Sequence, residues 1–179
     1  MRGPLDVTRE LLAADVLHEI VHLPRRIDDA AELPFVLGLP GTACLAVRLY
    51  DADDALVATL VPANAVAAPG AVARATRTAK VRPARADRVS AVTDYHPALV
   101  CPVGLPNDVR VVADTAFAEQ EVVYAATGDG STALKIRTAD LFALLGATTA
   151  SLVEPGAALH VQQHADETVW RSVATSLRR

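Results

Sequence analysis

The sequence predicts a single α/β domain. At 179 residues the chain has the length of one domain and can bury a proper core. Segments with helical spacing of apolar residues alternate along it with short strand-like runs. Hydrophobic residues make up 51% of the sequence, which excludes general disorder, and aromatic residues only 4%, so the core must be built mainly from Ala, Val and Leu.

The first third of the chain predicts two helices that flank a strand. Thr8 is the expected N-cap of the first helix, and Asp28 and Asp29 are the expected caps of the second. The expected elements are a helix over 9–16, a strand over 17–23 and a helix that ends near Gly38.

The rest of the chain predicts further strands and helices. The expected elements are hairpin strands over 43–50 and 56–61, a helix over 69–76, a strand over 79–82, a helix over 86–92, strands over 109–113, 122–126 and 133–137, and a helix over 140–145 capped by Thr138 and ending at Gly146. Beyond residue 152 we expect an extension, 153–179, with a strand over 159–163 and an amphipathic helix over 165–177 that packs back on the domain.

Several classes of protein are excluded by what the sequence lacks. No apolar run is long enough to span a membrane, and the first residues do not resemble a signal peptide. Two cysteines without a secretory signal predict reduced thiols in a cytoplasmic protein. His18 and His22 would share one face of a strand, but no third ligand lies near them, so we expect no metal and no cofactor.

Basic residues are concentrated in one segment, although the net charge is −4. This basic stripe comprises Arg74, Arg77, Lys80, Arg82, Arg85 and Arg88. Asp87 is the only acidic residue within the same segment. Such a stripe on an acidic protein can bind the phosphates of a nucleic acid, or it can be a solvated arginine-rich face.

Two loops could present backbone groups to a ligand. Residues 93–106 contain three prolines and a glycine, so they predict a stiff loop of the kind that displays binding groups on a scaffold. Residues 127–131, Thr-Gly-Asp-Gly-Ser, predict a tight turn whose glycines can hold an anion. This turn follows a strand without opening a helix, so it is not a P-loop.

Four stretches of the sequence resemble one known family. They are Cys-Pro-Val-Gly-Leu-Pro at 101–106, the strand with acidic residues at 108–114, Val-Val-Tyr-Ala-Ala-Thr-Gly at 122–128, and the helix with its glycine at 138–147. In this order and spacing they are similar to the YbaK/ProX family of aminoacyl-tRNA editing domains, which also occurs inserted in bacterial prolyl-tRNA synthetases. The resemblance runs from about Thr8 to about Leu152.

The resemblance implies a fold and an activity. The fold is a mixed sheet curled into a partial barrel with surrounding helices. The activity is hydrolysis, in trans, of the ester of a mischarged aminoacyl-tRNA, most simply of the tRNA-Pro type. Its partners would be aminoacyl-tRNA and a synthetase, and the protein a monomer or homodimer.

The resemblance also implies which residues form the site. An aminoacyl ester is already activated, so the chemistry needs preorganised donors for developing negative charge rather than a strong nucleophile. The implied catalytic groups are the backbone N–H groups of Leu99, Val100 and Cys101, with Gly104 in the same loop. The implied substrate-binding residues are Ala46, Arg48, Ala98, Pro102, Thr127 and Gly128. The tRNA-binding residues would be Arg74, Arg77, Lys80, Arg82 and Arg85.

This sequence departs from the family at two places. The family has a lysine where Leu45 or Ala46 stands, and paired glycines near Ala98 and Leu99. Period-two alternation puts Arg48 on the same strand face as Ala46, so we expect Arg48 to face the loop and supply the missing cation. The departures leave a second function open, a non-catalytic module that binds a tRNA acceptor end, an aminoacyl group or a synthetase.

Cys101 allows two interpretations. A thiol on an exposed loop, with His96 and Asp94 before it, could be a Cys/His nucleophile. The alternative, which we favour, is that Cys101 replaces the family's small serine, because the two side chains are nearly isosteric. Cys44 lies in an apolar strand and is expected to be buried.

Overall fold

The computed structural model describes residues 1–154 of the chain. The strand and helix expected beyond residue 154 lie outside the described residues, as does nearly all of the expected extension. No helix in the described part is long and apolar enough to cross a membrane.

The described residues form five α-helices and eight β-strands, mixed along the chain. The helices are α1 (Pro4–Ala13), α2 (Leu33–Leu37), α3 (Pro69–Thr76), α4 (Ala86–Thr93) and α5 (Thr138–Leu145). The strands are β1 (His18–His22), β2 (Cys44–Ala52), β3 (Ala55–Pro62), β4 (Val81–Pro83), β5 (Arg110–Asp114), β6 (Val122–Ala126), β7 (Thr132–Arg137) and β8 (Thr148–Ala150). Short 3-10 helices cover Ala30–Glu32, Gly41–Ala43 and Thr115–Phe117.

All eight strands belong to one mixed sheet. Seven follow the order β1-β7-β6-β2-β3-β5-β8, and β4 pairs with the end of β2. The β2–β6, β3–β5 and β5–β8 pairs are parallel, and the others are antiparallel. The sheet is not closed, because β1 and β8 are its two edges. The predicted α/β fold with a mixed sheet in a partial barrel is therefore confirmed.

Strand β2 has apolar clusters on both of its faces. Leu45, Val47 and Leu49 point into the main core, which also receives residues from β3, β5, β6 and β7 and from helices α1, α4 and α5. Cys44 and Ala46 lie on the opposite face, in a smaller cluster. The other members of this small cluster are Ile27, Ala30, Leu33, Ala63, Leu99, Ala126 and Ala133. Both faces of β2 are thus buried, so the strand reads as a nearly continuous apolar run.

Two sequence-based predictions about the elements were wrong, and one strand was missed. Helix α1 begins at Pro4 after an N-cap at Gly3, not at Thr8, because proline at the first helical position is already in helical geometry. Thr138 is the first residue of α5 and not its cap, and its buried hydroxyl has no hydrogen-bond partner within the described residues. Strand β8 was not predicted. It has three residues, two of them exposed, and pairs only with β5.

Candidate functional site

Arg48 lies in the middle of β2, on the same face as Ala46. Its Nη2 donates a hydrogen bond to Oδ1 of Asp29 at 2.9 Å, and the two side chains are 24% and 42% exposed. The predicted alternation of side chains between the two faces of this strand, with Arg48 on the face of Ala46, is therefore present. The charge of Arg48 already has a carboxylate partner, and this ion pair was not predicted.

Asp29 is held in place as the N-cap of the 3-10 helix. Its Oδ1 also accepts the N–H of Ala31 at 2.8 Å, while Glu32 Oε1 accepts the N–H groups of Asp28 and Asp29. Partial burial opposes ionisation of Glu32, but these N–H groups together with Arg25 lower the pKa of its carboxyl. The result is a capping box that fixes the Asp29 carboxylate beside Arg48.

The same segment is joined to the proline-rich loop. The N–H of Ala30, the residue after Asp29, donates to the carbonyl of Ala98 at 3.0 Å. Asp29, Ala30, Arg48 and Ala98 therefore form one connected region at the surface, which we call the Arg48 site. Its inner side is the small apolar cluster that contains Ala46.

Leu99 closes the inner side of the Arg48 site. Its side chain is only 4% exposed and belongs to the small cluster, together with Ala46, which is 1% exposed. Its N–H donates to the carbonyl of His96 at 2.9 Å, so this N–H is already engaged within the loop. No acceptor for the N–H groups of Val100 and Cys101 is found within residues 1–154.

Cys101 is buried, which contradicts the interpretation of its thiol as an exposed nucleophile. The residue has no solvent exposure, and burial raises the pKa of its thiol to about 12, which the neighbouring Val103 N–H and Tyr95 hydroxyl oppose only in part. A nucleophilic cysteine needs an accessible thiolate. The nucleophile interpretation is therefore wrong, and a small side chain packed under the loop agrees with replacement of a serine. Cys44 is buried as expected.

Gly104 and Pro102 shape the loop from within. Pro102 is buried, and Gly104 has a φ of +76°. A Cβ at Gly104 would collide with the Arg2 guanidinium and approach the Glu10 carboxylate, so no other residue fits without rearrangement. Gly104 borders a surface depression of about 240 Å³ whose other walls come from α1, β5 and α5.

Thr127 and Gly128 serve the turn between β6 and β7. Thr127 is fully buried, and its hydroxyl is 2.6 Å from that of Thr132. Gly128 has a φ of +97°, and a Cβ there would collide with the Arg2 carbonyl and the Tyr95 ring. The side chain of Thr127 therefore cannot reach a ligand, and any contact from this turn would come from its backbone.

The basic stripe divides into two groups. Arg82 and Arg88 both bind the buried carboxylate of Asp51, at 3.3 and 2.6 Å, and Arg85 binds Asp87. Arg74, Arg77 and Lys80 are exposed, and no carboxylate within residues 1–154 lies within salt-bridge distance of them. The role of Asp51 was not predicted, because Asp51 lies on β2, far from the stripe in the chain.

The described residues contain no group of three or more side chains that could hold a metal ion. His18 and His22 do lie in β1, where they were expected, and Nδ1 of His18 is 2.8 Å from the carbonyl of Val16.

Comparison of the sequence with known families gives one match. Residues 25–144 match the profile of the aminoacyl-tRNA editing domain. This range includes the Arg48 site, the proline-rich loop and the basic stripe. A search of curated proteins found no match.

Solved structures share the fold. A protein described as a candidate trans-editing enzyme for prolyl-tRNA synthetase is 22% identical, with a TM-score of 0.73 over 83% of this chain and 95% of that one. A hypothetical protein is 21% identical, with a TM-score of 0.76 over 83% and 99%. A structure from work on grafting epitope backbones onto scaffold proteins is 24% identical, with a TM-score of 0.73 over 83% and 95%. At these identities the likeness establishes the fold.

Proposed function

Because the chain belongs to the aminoacyl-tRNA editing domain family, we propose that it is a deacylase that hydrolyses the ester of a mischarged aminoacyl-tRNA in trans. The family match over residues 25–144 is the observation that carries this proposal. The finer proposal is that the substrate is a mischarged aminoacyl-tRNA of the tRNA-Pro type. We place this reaction in the cytoplasm, with a synthetase as the partner of the protein. The finer proposal draws support from the structural likeness to a candidate trans-editing enzyme for prolyl-tRNA synthetase.

The reaction needs little from the protein beyond positioning. Water adds to the carbonyl carbon of the aminoacyl ester and gives up a proton, and the carbonyl oxygen becomes an oxyanion. The bond to the ribose oxygen then breaks, and that oxygen takes up the proton that the water lost. We assign the stabilisation of the oxyanion to the backbone N–H groups of Val100 and Cys101, which lack acceptors within the described residues. We do not include Leu99 among the proposed donors, because its N–H already donates to the carbonyl oxygen of His96.

Arg48 takes the place of the family lysine in this proposal. Its forked guanidinium can keep one N–H group on Asp29 and direct another toward an anionic oxygen of the bound 3′ end. Arginine remains protonated at all relevant pH values, so Arg48 acts as a fixed positive charge and not as a base.

Leu99 must move for the ester to reach the proposed donors. Val100 and Cys101 are 2% and 0% exposed, and Leu99 covers the inner side of the Arg48 site. Ala98, at the mouth, is half-buried. We expect substrate binding to displace the Ala98–Leu99 backbone outward, which leaves room for a small aminoacyl side chain against Ala46.

The acceptor stem would lie on the exposed part of the basic stripe. Arg74, Arg77 and Lys80 project from the end of α3 and the following turn without carboxylate partners in the described part of the chain, so they can bind phosphates. Arg82 and Arg85 are already paired and contribute less.

A non-catalytic binding module is the second candidate. Two observations favour it: neither Leu45 nor Ala46 can supply the charge of the family lysine, and the residues that carry the proposed donors are buried. Deacylation assays with purified protein and a panel of mischarged tRNAs separate the two functions, because a binding module retains tRNA affinity without turnover.

A further inference from the structure

Within the described residues, the carboxylate of Asp29 is held in place through only one of its two oxygen atoms. Oδ1 accepts hydrogen bonds from Arg48 and from the N–H of Ala31, at 2.9 and 2.8 Å. Oδ2 has no hydrogen-bond partner within residues 1–154, and the side chain is 42% exposed. The Arg48 site therefore presents a preorganised negative oxygen toward solvent.

The Asp29 carboxylate lies next to the small apolar cluster, where the side chain of an aminoacyl group could bind. Ala30, adjacent to Asp29 in the chain, is hydrogen-bonded to Ala98 and packs in the small cluster with Ala46 and Leu99. An aminoacyl ester whose side chain lies against this cluster would have its α-carbon at the mouth of the Arg48 site. The α-ammonium group on that carbon is a cation that seeks a carboxylate partner.

We propose that Asp29, held by Arg48, binds the α-ammonium group of the aminoacyl substrate through Oδ2. The inference rests on the proposed function for the identity of the substrate. In this arrangement Arg48 has a second role as the positioning residue for Asp29, since its hydrogen bond to Oδ1 leaves Oδ2 directed to the ligand.

The consequence is selectivity against N-blocked substrates. Acylation of the α-amino group removes its positive charge and adds a bulky carbonyl, so a charge-assisted hydrogen bond to Asp29 is lost. Peptidyl-tRNA and other N-acylated aminoacyl-tRNAs would then be poor substrates. A free-standing deacylase with this requirement would spare tRNAs that carry a growing chain.

The test measures binding and hydrolysis with two matched ligands. One is an RNA microhelix ending in CCA with an alanyl group on the terminal ribose, as an ester for hydrolysis and as an amide for binding. The other is the same pair with an N-acetylated alanyl group. Wild type should bind and hydrolyse the free amine about 10- to 150-fold better than the acetylated form, the range for a hydrogen bond to a charged group.

The variant Asp29→Asn keeps an oxygen for Arg48 and for the Ala31 N–H but removes the charge. It should lose most of the preference for the free amine, with little change for the acetylated ligand. Asp28→Asn is the matched control, because Asp28 is an exposed neighbouring carboxylate. It should retain the preference.

The proposal is overturned if wild type binds and hydrolyses the free-amine and the N-acetylated ligands equally well. It is also overturned if Asp29→Asn weakens binding and hydrolysis of both ligands by the same factor. Amide binding that depends on the free amine, without hydrolysis of either ester, supports the Asp29 proposal and refutes the deacylase function instead.

Discussion

Replacement of Arg48 by alanine tests whether this residue supplies the cation that the family lysine would provide. The substitution removes one ion pair with Asp29 between partly exposed side chains, which is worth about 0.5–1 kcal/mol of stability. Asp29 keeps the Ala31 N–H and becomes more exposed to water, so no buried charge is left unpaired. The fold should therefore survive.

Binding should suffer more than stability. A lost hydrogen bond to a charged group costs about 1.5–3 kcal/mol, so Arg48→Ala should weaken binding of the charged 3′ end by about 10- to 150-fold. Arg48→Lys should recover part of the loss, because a lysine keeps the charge but not the fork. The assay is a titration of a fluorescent CCA-ended microhelix, with urea unfolding measured on the same samples.

Lys135→Ala is a matched control for this experiment. Lys135 also forms a 2.8 Å ion pair with a carboxylate, that of Glu19, and is partly exposed. This control should leave microhelix binding unchanged. Equal binding by wild type and Arg48→Ala would refute the role given to Arg48 and strengthen the non-catalytic interpretation.

Three further predictions concern the loop and the basic stripe. Cys101→Ser should keep activity within about tenfold, a change of roughly 1.4 kcal/mol, and the native thiol should resist alkylation near neutral pH because it is buried with a pKa of about 12; a large loss of rate with rapid alkylation would contradict this. Leu99→Ala should lower the free energy of unfolding by about 2–5 kcal/mol and widen the range of aminoacyl groups that are hydrolysed; an unchanged substrate range in a folded variant would show that Leu99 does not limit access. Arg74→Glu with Arg77→Glu should weaken tRNA binding and flatten its dependence on salt, whereas Arg85→Glu should have a smaller effect; identical salt slopes in all three proteins would make the stripe a solvated face.

Local sequence patterns predicted much of the fold. The bounds expected for α3 and β6 agree with the structure to the residue, because each segment has a clear apolar period and, for α3, a proline at its start. Strand β8 escaped prediction because it is short and exposed and exists only through its pairing with β5. Such a strand depends on a partner that lies more than thirty residues away.

The candidate site was predicted in outline only. Period-two alternation placed Arg48 on the face of Ala46, and a capping signal marked Asp29. Their ion pair joins two residues that are 19 positions apart in the chain, and no local sequence pattern predicts it. The burial of Cys101 was missed for the same reason, since it depends on how the loop packs on the main core and not on the loop's own composition.

Hydrolysis of mischarged tRNA by the purified protein is the decisive measurement for the proposed deacylase function. The measurement is the rate at which labelled amino acid is released from a panel of aminoacyl-tRNAs, including mischarged tRNA-Pro, with wild type and Arg48→Ala side by side. We expect release from at least one mischarged tRNA, with correctly charged tRNA spared and the rate reduced in Arg48→Ala. Tight binding of the same tRNAs, with no release above the spontaneous rate, would contradict this expectation.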